Sequence, residues 1–399
     1  MLPVSRLDYH LPEDRIALRP AEPRDAARLM VISRSDESLL HHLHIRDLPS
    51  LLNPHDLLIF NTTKVLPARL HARWTISPSG QGGGRVEALF LRESAPSTWS
   101  LLLSSKRRLR PGATLELLHE DGSPSSVILQ LLARESDTDA PRSGGDDATQ
   151  PASFAWSARL LPPHDTTPAP QLLSSLGATP LPPYILRARA HAHLSLPDAL
   201  DRDWYQTVFA QTPGSVAAPT AGLHFTPELL STLSSRNVHR AHVTLHVGLA
   251  TFKPIEADTV ESHPMHAEWC DVPRATLHAI STARSRSARA IAVGTTTARA
   301  LESASHNLLT LSPDSYSGPT RILISPGHSW SACDALLTNF HLPRSTLLAM
   351  VASLLLPQSD IHSDSARDHA LTRLLHLYKL AIRDGYRFYS YGDAMLILP

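Results

Sequence analysis

The beginning of the chain contains two stretches whose apolar residues are spaced as in β-strands. Residues 56–60 (DLLIF) form a short apolar run that ends at the small polar residues Asn61, Thr62 and Thr63. Such a run is typical of a buried strand followed by a turn. Apolar residues recur over 65–74, which predicts a second strand.

Residues 74–160 have a different texture, because short strand-like runs alternate there with polar, turn-rich breaks. Several strands at this spacing predict a small β-barrel. The break near 134–152 is polar and rich in glycine, so we expect a mobile loop. The glycines at 80–85 favour a hairpin turn. The strand-like runs are 85–92, 98–105, 114–120, 126–134 and 154–161.

From about residue 170 the pattern alternates between strands and helices. Ser345 before an apolar run predicts a helix start, Thr226 followed by Pro227 predicts another, and Gly385 is a plausible helix C-cap. The fold class is therefore α/β, with a larger discontinuous α/β domain of residues 1–70 plus 161–399, later assigned the candidate ligand site, and an inserted small β-barrel domain of residues 71–160. The predicted elements are strands at 239–252 and 321–327, helices at 274–287 and 370–385, and a strand–turn–helix unit at 288–303.

Composition narrows the class of protein. A length of 399 residues suggests two domains or one domain with an insertion, and a formal net charge of zero confines any nucleic-acid surface to a local patch. Two cysteines, Cys270 and Cys333, cannot form a disulfide framework. The longest apolar run, 347–356, is too short to span a bilayer. We therefore expect a soluble, cytoplasmic protein with no membrane partner. We also expect it to be a monomer.

Three turns combine small or hydroxyl-bearing residues with the start of a helix: 219–230, 292–303 and 338–350. Helix N-termini attract carboxylates and phosphates, and α/β sheets bind ligands at the carboxyl ends of their strands. Threonine caps without any ligand are common, so one such turn is weak evidence. Three in one domain predict a ligand site.

Histidine is abundant, with 23 residues, and its clusters need caution. His263 and His266 have a spacing that a metal can use, and His224, His246 and His341 are further candidates. No recognised zinc pattern is present, so we predict no metal site. Proton transfer by a histidine or glutamate is the favoured alternative, because histidine titrates near neutrality.

Two further stretches leave alternatives open. The basic run 106–110 is either a solvated loop or a phosphate-binding patch. In the C-terminal stretch 386–395, aromatic residues serve core packing or base stacking. Strand-like alternation would place Phe388 on the face opposite Tyr389 and Tyr391.

The motifs, taken in order, resemble those of the S-adenosylmethionine:tRNA ribosyltransferase-isomerase family of queuosine biosynthesis. The resemblance covers nearly the whole chain except the loop near 134–152. The motifs are LDYHLPEDRIA, DLLIFNTTKVLPARL, GGGRVEALFL, SSKRRLRPG, LPPYI, SVAAPTAGLHFT, TLHVGLATF, HPMHAE, IAVGTTTARALES, LLTNFHLPRSTLL and YRFYSYGDAM.

This resemblance implies an activity and a fold. The family transfers and isomerises the ribosyl part of S-adenosylmethionine onto 7-aminomethyl-7-deazaguanine at the wobble position of tRNA, giving epoxyqueuosine and releasing adenine and methionine. S-adenosylmethionine is then a consumed substrate, and neither a metal nor a redox cofactor is expected. The implied fold is a larger α/β domain with an inserted small β-barrel.

The positions of residues in these motifs, together with the chemistry that the implied reaction requires, indicate candidate site residues. We expect proton handling by His224, His246, His266 and Glu268. Contacts to S-adenosylmethionine are expected from Thr220, Thr226, Thr295, Thr296 and Thr297, with Arg299 on its carboxylate. Asn339 and His341 are expected to read a base or position the ribose, and Tyr391 and Asp393 to stack on and neutralise a cationic group. The residues expected to contact tRNA phosphates are Lys106, Arg107, Arg108 and Arg110.

Three positions depart from the family pattern. Thr62 and Lys64 stand where the family usually has aspartate and arginine, and Ala250 stands where it has glycine. These departures motivate an alternative hypothesis, a tRNA-binding homologue with impaired catalysis.

Overall fold

The computed structural model describes residues 1–75, 83–135, 154–248, 255–306 and 308–399. Three features discussed above lie wholly or mostly outside the described residues: the loop near 134–152, Ala250, and part of the glycine-rich stretch at 80–85.

A ten-stranded mixed sheet forms the centre of the larger part of the chain, and its strands run in the order β15-β16-β13-β12-β3-β14-β17-β18-β1-β2. A second, two-stranded sheet pairs β4 with β11. The strands of these two sheets are β1 Arg28–Ser33, β2 Leu40–His44, β3 Leu57–Asn61, β4 Thr63–Val65, β11 Thr212–Ser215, β12 His239–Leu245, β13 Glu268–Pro273, β14 Ala290–Val293, β15 Thr310–Leu311, β16 Ser315–Thr320, β17 Ala335–Asn339 and β18 Ala394–Leu398.

The middle of the large sheet is parallel. β12 and β14 flank β3, and β17 continues the sheet beyond β14, all in the same direction. Every residue of β3, β14 and β17 is buried, as expected where helices cover both faces of a parallel sheet. Their carboxyl ends therefore meet at one edge, where α/β sheets bind ligands.

The second body is a closed six-stranded barrel with the strand order β10-β7-β6-β5-β8-β9. Alternating residues of β6 point inward and are buried, in keeping with the period of two in its sequence. Helix α2 (Ala169–Leu176) packs its apolar face on the same core. The barrel strands are β5 Arg69–Trp74, β6 Arg85–Ala95, β7 Thr98–Ser105, β8 Thr114–Leu118, β9 Pro124–Arg134 and β10 Phe154–Leu160.

Local sequence signals set the helix ends. Thr226 and Ser345 each accept a hydrogen bond from a backbone N–H in the first turn of their helices. Gly385 has a φ of 77°, and the N–H groups of Gly385 and Tyr386 close the last helix in a Schellman motif. The remaining helices are α1 Leu48–Leu51, α3 Pro183–His191, α4 Asp198–Trp204, α5 Pro227–Ser235, α6 Arg274–Ser285, α7 Thr295–Ser305, α8 Thr346–Leu355 and α9 Asp364–Arg383.

The predicted fold class is confirmed, since the chain is α/β and contains a small closed barrel. The domain boundaries at 70/71 and 160/161 stay a prediction. Two element predictions are wrong. The stretch 65–74 is not one strand, because Pro67 lies between β4 and β5, and proline cannot donate to a strand ladder. The stretch 321–327 is irregular, and the strand lies just before it as β16.

Cys270 and Cys333 are both buried and unpaired. Among the described residues, no helix has the length and apolarity that crossing a bilayer requires.

Candidate functional site

A cleft of about 570 Å³, including its mouth, opens at the carboxyl edge of the parallel strands. All three of the predicted ligand-binding turns contribute to its lining. Of the predicted substrate-binding residues, the cleft brings together Thr220, Thr295, Thr296, Asn339 and His341.

The side chain of Asn339, at the end of β17, connects three segments around the cleft. Its Oδ1 accepts a hydrogen bond from Thr220 Oγ1 at 2.9 Å, and its Nδ2 donates to the Tyr389 carbonyl at 3.1 Å. The same Nδ2 lies 3.3 Å from His224 Nε2. A buried amide with partners on both ends is held in a single orientation. Asn339 is therefore the residue that sets the relative positions of these walls.

His224 is buried beside Asn339 and is not among the residues that line the cleft. Burial lowers the pKa of its imidazole to about 4. The ring is therefore neutral at physiological pH and accepts from Asn339. Titration near neutrality, the reason for nominating this histidine, does not apply to it here.

His341 does line the cleft, and burial lowers the pKa of its imidazole to about 3. Its Nε2 lies 2.8 Å from Thr338 Oγ1, and its backbone N–H donates to Tyr378 Oη. Tyr9 Oη donates to the His341 carbonyl. These contacts hold a neutral imidazole at the cleft wall.

The amino end of α7 forms another wall. Gly294 is the N-cap and has a φ of 95°, a conformation that favours glycine. Thr295 and Thr296 follow it at the cleft, where the first backbone N–H groups of a helix suit an anionic group. Thr297 points away from the cleft, since it is fully buried and its hydroxyl donates to the Val293 carbonyl.

Glu268 and Arg299 are buried and paired with each other. The other carboxylate oxygen of Glu268 accepts from the Gly248 N–H at 2.8 Å, and Arg299 Nε donates to the Ile322 carbonyl at 3.3 Å. Among the described residues, the Nη2 of Arg299 has no hydrogen-bond partner. The proposed acid–base group and the proposed carboxylate ligand thus neutralise each other, and neither lines the cleft.

His246 follows β12 and lies to one side of the cleft lining. Its Nδ1 is 2.8 Å from Thr63 Oγ1, and its ring stacks on that of Trp269 with centroids 5.3 Å apart. Burial lowers the pKa of its imidazole. A Cβ at Gly214 would come within 2.7 Å of the ring, so glycine is needed there. His266 is half-buried in the segment before β13 and does not line the cleft.

Three other residues that were predicted to bind substrate do not line the cleft, and each makes contacts within the protein. The hydroxyl of Thr226 caps α5. Tyr391 is buried against Tyr205, with ring centroids 5.9 Å apart. Asp393 is buried and accepts from the backbone N–H groups of Arg28 and Arg387.

The alternation expected for the aromatic C-terminal stretch is wrong, because the backbone there is not a strand. Tyr389 has a φ of 71° and lines the cleft, and it shares a core cluster with Phe388, whereas Tyr391 packs in a different cluster with Tyr205. Phe388 packs into the main core.

Two tyrosines that form a pair in the cleft are absent from the predicted site residues, although base stacking is one alternative for the stretch that contains Tyr389. The rings of Tyr184 and Tyr389 lie 4.7 Å apart, and Tyr184 Oη is 2.5 Å from Ser390 Oγ. Both tyrosines lie within motifs of the family resemblance, LPPYI and YRFYSYGDAM, and that was the available signal. Only the fold shows that they are neighbours.

The basic run lies on the barrel, in the connection between β7 and β8. Lys106, Arg107, Arg108 and Arg110 are all exposed. The guanidinium of Arg107 also lies over the ring of Trp74, at 5.2 Å from its centroid. The run is free to meet a polyanion.

Two of the three departures from the family pattern lie among the described residues. Thr62 is buried, and its hydroxyl donates to the Val243 carbonyl at 3.2 Å. Lys64 is exposed on β4. Neither lines the cleft.

Comparisons with known proteins agree with these motifs. The family model described as "Queuosine biosynthesis protein" matches residues 4–397. The S-adenosylmethionine:tRNA ribosyltransferase-isomerase of Gloeobacter violaceus is 44% identical, over 98% of this chain and 95% of that protein. The protein of the same name from Thermus thermophilus is 42% identical over 98% of each chain.

A solved structure is also similar. The crystal structure of S-adenosylmethionine tRNA ribosyltransferase from Thermotoga maritima has 29% identity and a TM-score of 0.49, and the match covers 98% of this chain and 100% of that one. The family match over nearly all of the sequence confirms the resemblance: this chain belongs to the queuosine biosynthesis protein family.

Proposed function

We propose that this chain is an S-adenosylmethionine:tRNA ribosyltransferase-isomerase of queuosine biosynthesis. The observation that carries the proposal is the identity of 42–44% to enzymes of that name over 98% of the chain. A cleft at the carboxyl edge of the parallel strands, built from the motifs of the resemblance, supports it.

The acceptor is 7-aminomethyl-7-deazaguanine at the wobble position of tRNA. The sulfonium of S-adenosylmethionine makes the C5′ proton acidic, so that a base removes it, and adenine leaves with a proton on a ring nitrogen. The aminomethyl nitrogen then attacks, and epoxide closure expels methionine. These steps need proton transfer and oriented dipoles, and they draw on neither a metal nor a redox cofactor.

The walls of the cleft suit the parts of S-adenosylmethionine. The amino end of α7, with Thr295 and Thr296, takes the carboxylate, because the N–H groups of a helix's first turn and the helix dipole favour an anion. The Tyr184–Tyr389 pair stacks against adenine. The small residues 218–221 let the ligand approach the backbone closely.

His341 is the imidazole placed to contact the substrate, since it lines the cleft whereas His224, His246 and His266 do not. Its low pKa makes it a neutral hydrogen-bonding group at pH 7. In this proposal the Glu268–Arg299 pair acts through position, by holding the Gly248 segment next to the cleft.

The test uses purified protein, S-adenosylmethionine and tRNA that carries 7-aminomethyl-7-deazaguanine. We expect adenine release, methionine release and epoxyqueuosine in the tRNA, and no adenine with tRNA that carries guanine at that position. Binding of both substrates without any adenine release would contradict the proposal and leave a tRNA-binding homologue.

We also infer that the enzyme is a monomer and works in the cytoplasm, where its tRNA substrate is found. Sedimentation at micromolar concentration tests the first statement, and a species of twice the mass would contradict it.

A further inference from the structure

Three side chains with metal-binding atoms meet at the carboxyl end of α7. Glu302 lies in the last turn of this helix, His306 follows it as the C-cap residue, and His328 comes from the segment before β17. Their ligand atoms all lie within 4.8 Å of one another. The helix begins at the cleft with Thr295, and at a rise of about 1.5 Å per residue Glu302 and His306 lie about 10 Å and about 16 Å further along its axis, so the cluster is separate from the cleft.

The distances from the Glu302 carboxylate to the two histidines match those of a tetrahedral zinc site, and the ligand atoms of the two histidines lie within 4.8 Å of each other. Glu302 Oε2 lies 3.2 Å from His328 Nε2 and 3.5 Å from His306 Nε2. Ligands that sit about 2.0–2.1 Å from Zn²⁺ in a tetrahedron are roughly 3.3 Å apart. A small cation therefore fits among these three atoms with little movement.

The carboxylate is already held in one orientation. Glu302 Oε1 accepts from the backbone N–H groups of Ala332 at 2.9 Å and Cys333 at 3.2 Å. Ser331 Oγ donates to Oε2 at 3.0 Å. Partners of this kind fix the orientation of metal ligands in known sites.

The cluster is also open on one side. The side chain of Glu302 is fully buried and that of His328 is 12% exposed, whereas His306 is 38% exposed. An ion can therefore enter past His306 and keep water in its remaining coordination position. His306 Nε2 also lies 3.2 Å from the Ser329 carbonyl, so metal binding at this nitrogen requires the tautomer with its proton on Nδ1 and replaces that contact.

We propose that Glu302, His306 and His328 bind a divalent transition-metal ion, with Zn²⁺ as the fitting case. Two imidazoles and one carboxylate form a known zinc ligand set. The ion links α7, whose first residues line the cleft, to the segment that leads into β17, whose last residues line it too. Its role is to stabilise the fold, and it takes no part in the proposed reaction.

The experiment uses the full-length protein without a histidine tag, after treatment with EDTA. Titration with Co²⁺, followed by its visible absorption, reports tetrahedral nitrogen and oxygen ligands, and calorimetry with Zn²⁺ gives the stoichiometry. Because Glu302 holds the backbone of 331–333, it is left intact. The test variant is His306→Ala/His328→Ala, and the matched control is His278→Ala/His376→Ala, which removes two exposed helical histidines.

We expect one equivalent of metal to bind to the wild type and the control, and binding at least about tenfold weaker in the test variant. Saturating Zn²⁺ should raise the melting temperature of the first two proteins only. A second variant, His306→Ala alone, removes only the more exposed ligand and guards against misfolding of the double variant. Equal Zn²⁺ affinity in all four proteins, or no binding to the wild type, would overturn the proposal.

Discussion

Individual residues in this chain owe their properties to burial. His224 and His341 have the same side chain as the exposed histidines, yet burial moves their pKa values to about 4 and about 3. Glu268 and Arg299 are likewise charged groups that the fold pairs with each other. The type of a residue therefore makes it a candidate for a chemical role, and its surroundings determine whether it is charged, neutral or paired.

The two neutral imidazoles predict an acid-sensitive fold. A histidine whose pKa is lower in the folded than in the unfolded protein contributes its full stability above about pH 6.5, the pKa in the unfolded chain. That stability is lost as the pH falls toward the pKa in the folded protein. The expected cost is about 2 kcal/mol for each histidine at pH 5. Urea unfolding between about pH 7 and pH 5 measures it. The variant His224→Gln/His341→Gln should show a flatter dependence, and an identical slope would contradict the assignment.

A second prediction at the scale of single residues concerns Asn339. Asn339→Ala leaves Thr220 and His224 without their partner, so we expect a loss of about 1–3 kcal/mol in stability and weaker binding of S-adenosylmethionine. Calorimetry well below the melting temperature separates the two effects. The exposed Asn53→Ala is the control, and wild-type affinity in Asn339→Ala would refute the positioning role.

At the scale of elements, parallel strands and helix ends determine where ligands can bind. β3, β12, β14 and β17 finish at one edge, and the helix α7 starts there. A hydroxyl at the amino end of a helix can contact a ligand, or it can only cap the backbone of its own helix. The hydrogen bonds of the hydroxyl distinguish these two cases. Thr226 serves its own helix, whereas Thr296 lines the cleft.

This distinction is testable with two threonine variants. Thr226→Ala should lower the free energy of unfolding by about 1 kcal/mol and leave the KM for S-adenosylmethionine unchanged. Thr296→Ala should raise that KM. Thr232→Ala, further along α5, controls for the loss of a hydroxyl in the same helix. A raised KM in Thr226→Ala at unchanged stability would show that its hydroxyl contacts substrate instead.

On the scale of the whole molecule, the cleft and the basic run belong to different bodies. The cleft lies at the edge of the large sheet, and the run 106–110 lies on the barrel. With a net charge of zero, this local concentration of cations is the feature that suits a polyanion. A substrate as large as tRNA can contact both bodies.

Removal of two cations from the run should weaken tRNA binding without affecting the cleft. For Arg108→Ala/Arg110→Ala we expect lower tRNA affinity. We also expect a shallower slope of the logarithm of that affinity against the logarithm of the salt concentration, by the amount that the loss of about one to two phosphate contacts produces. The control Arg236→Ala/Arg286→Ala removes two exposed arginines that precede the amino ends of β12 and β14. Equal tRNA affinity in both variants would refute the role of the run, and S-adenosylmethionine affinity should not change in either.

The sequence by itself determined the class of fold, most element positions, the caps at Thr226, Ser345 and Gly385, and the family. These properties follow from local periodicity, local hydrogen bonding and long contiguous motifs. Only the tertiary structure decided which nominated residues line the cleft, that Tyr184 pairs with Tyr389, and that Glu302, His306 and His328 meet. The physical reason is that desolvation, charge pairing and ligand geometry depend on neighbours far apart in sequence, which no local pattern encodes.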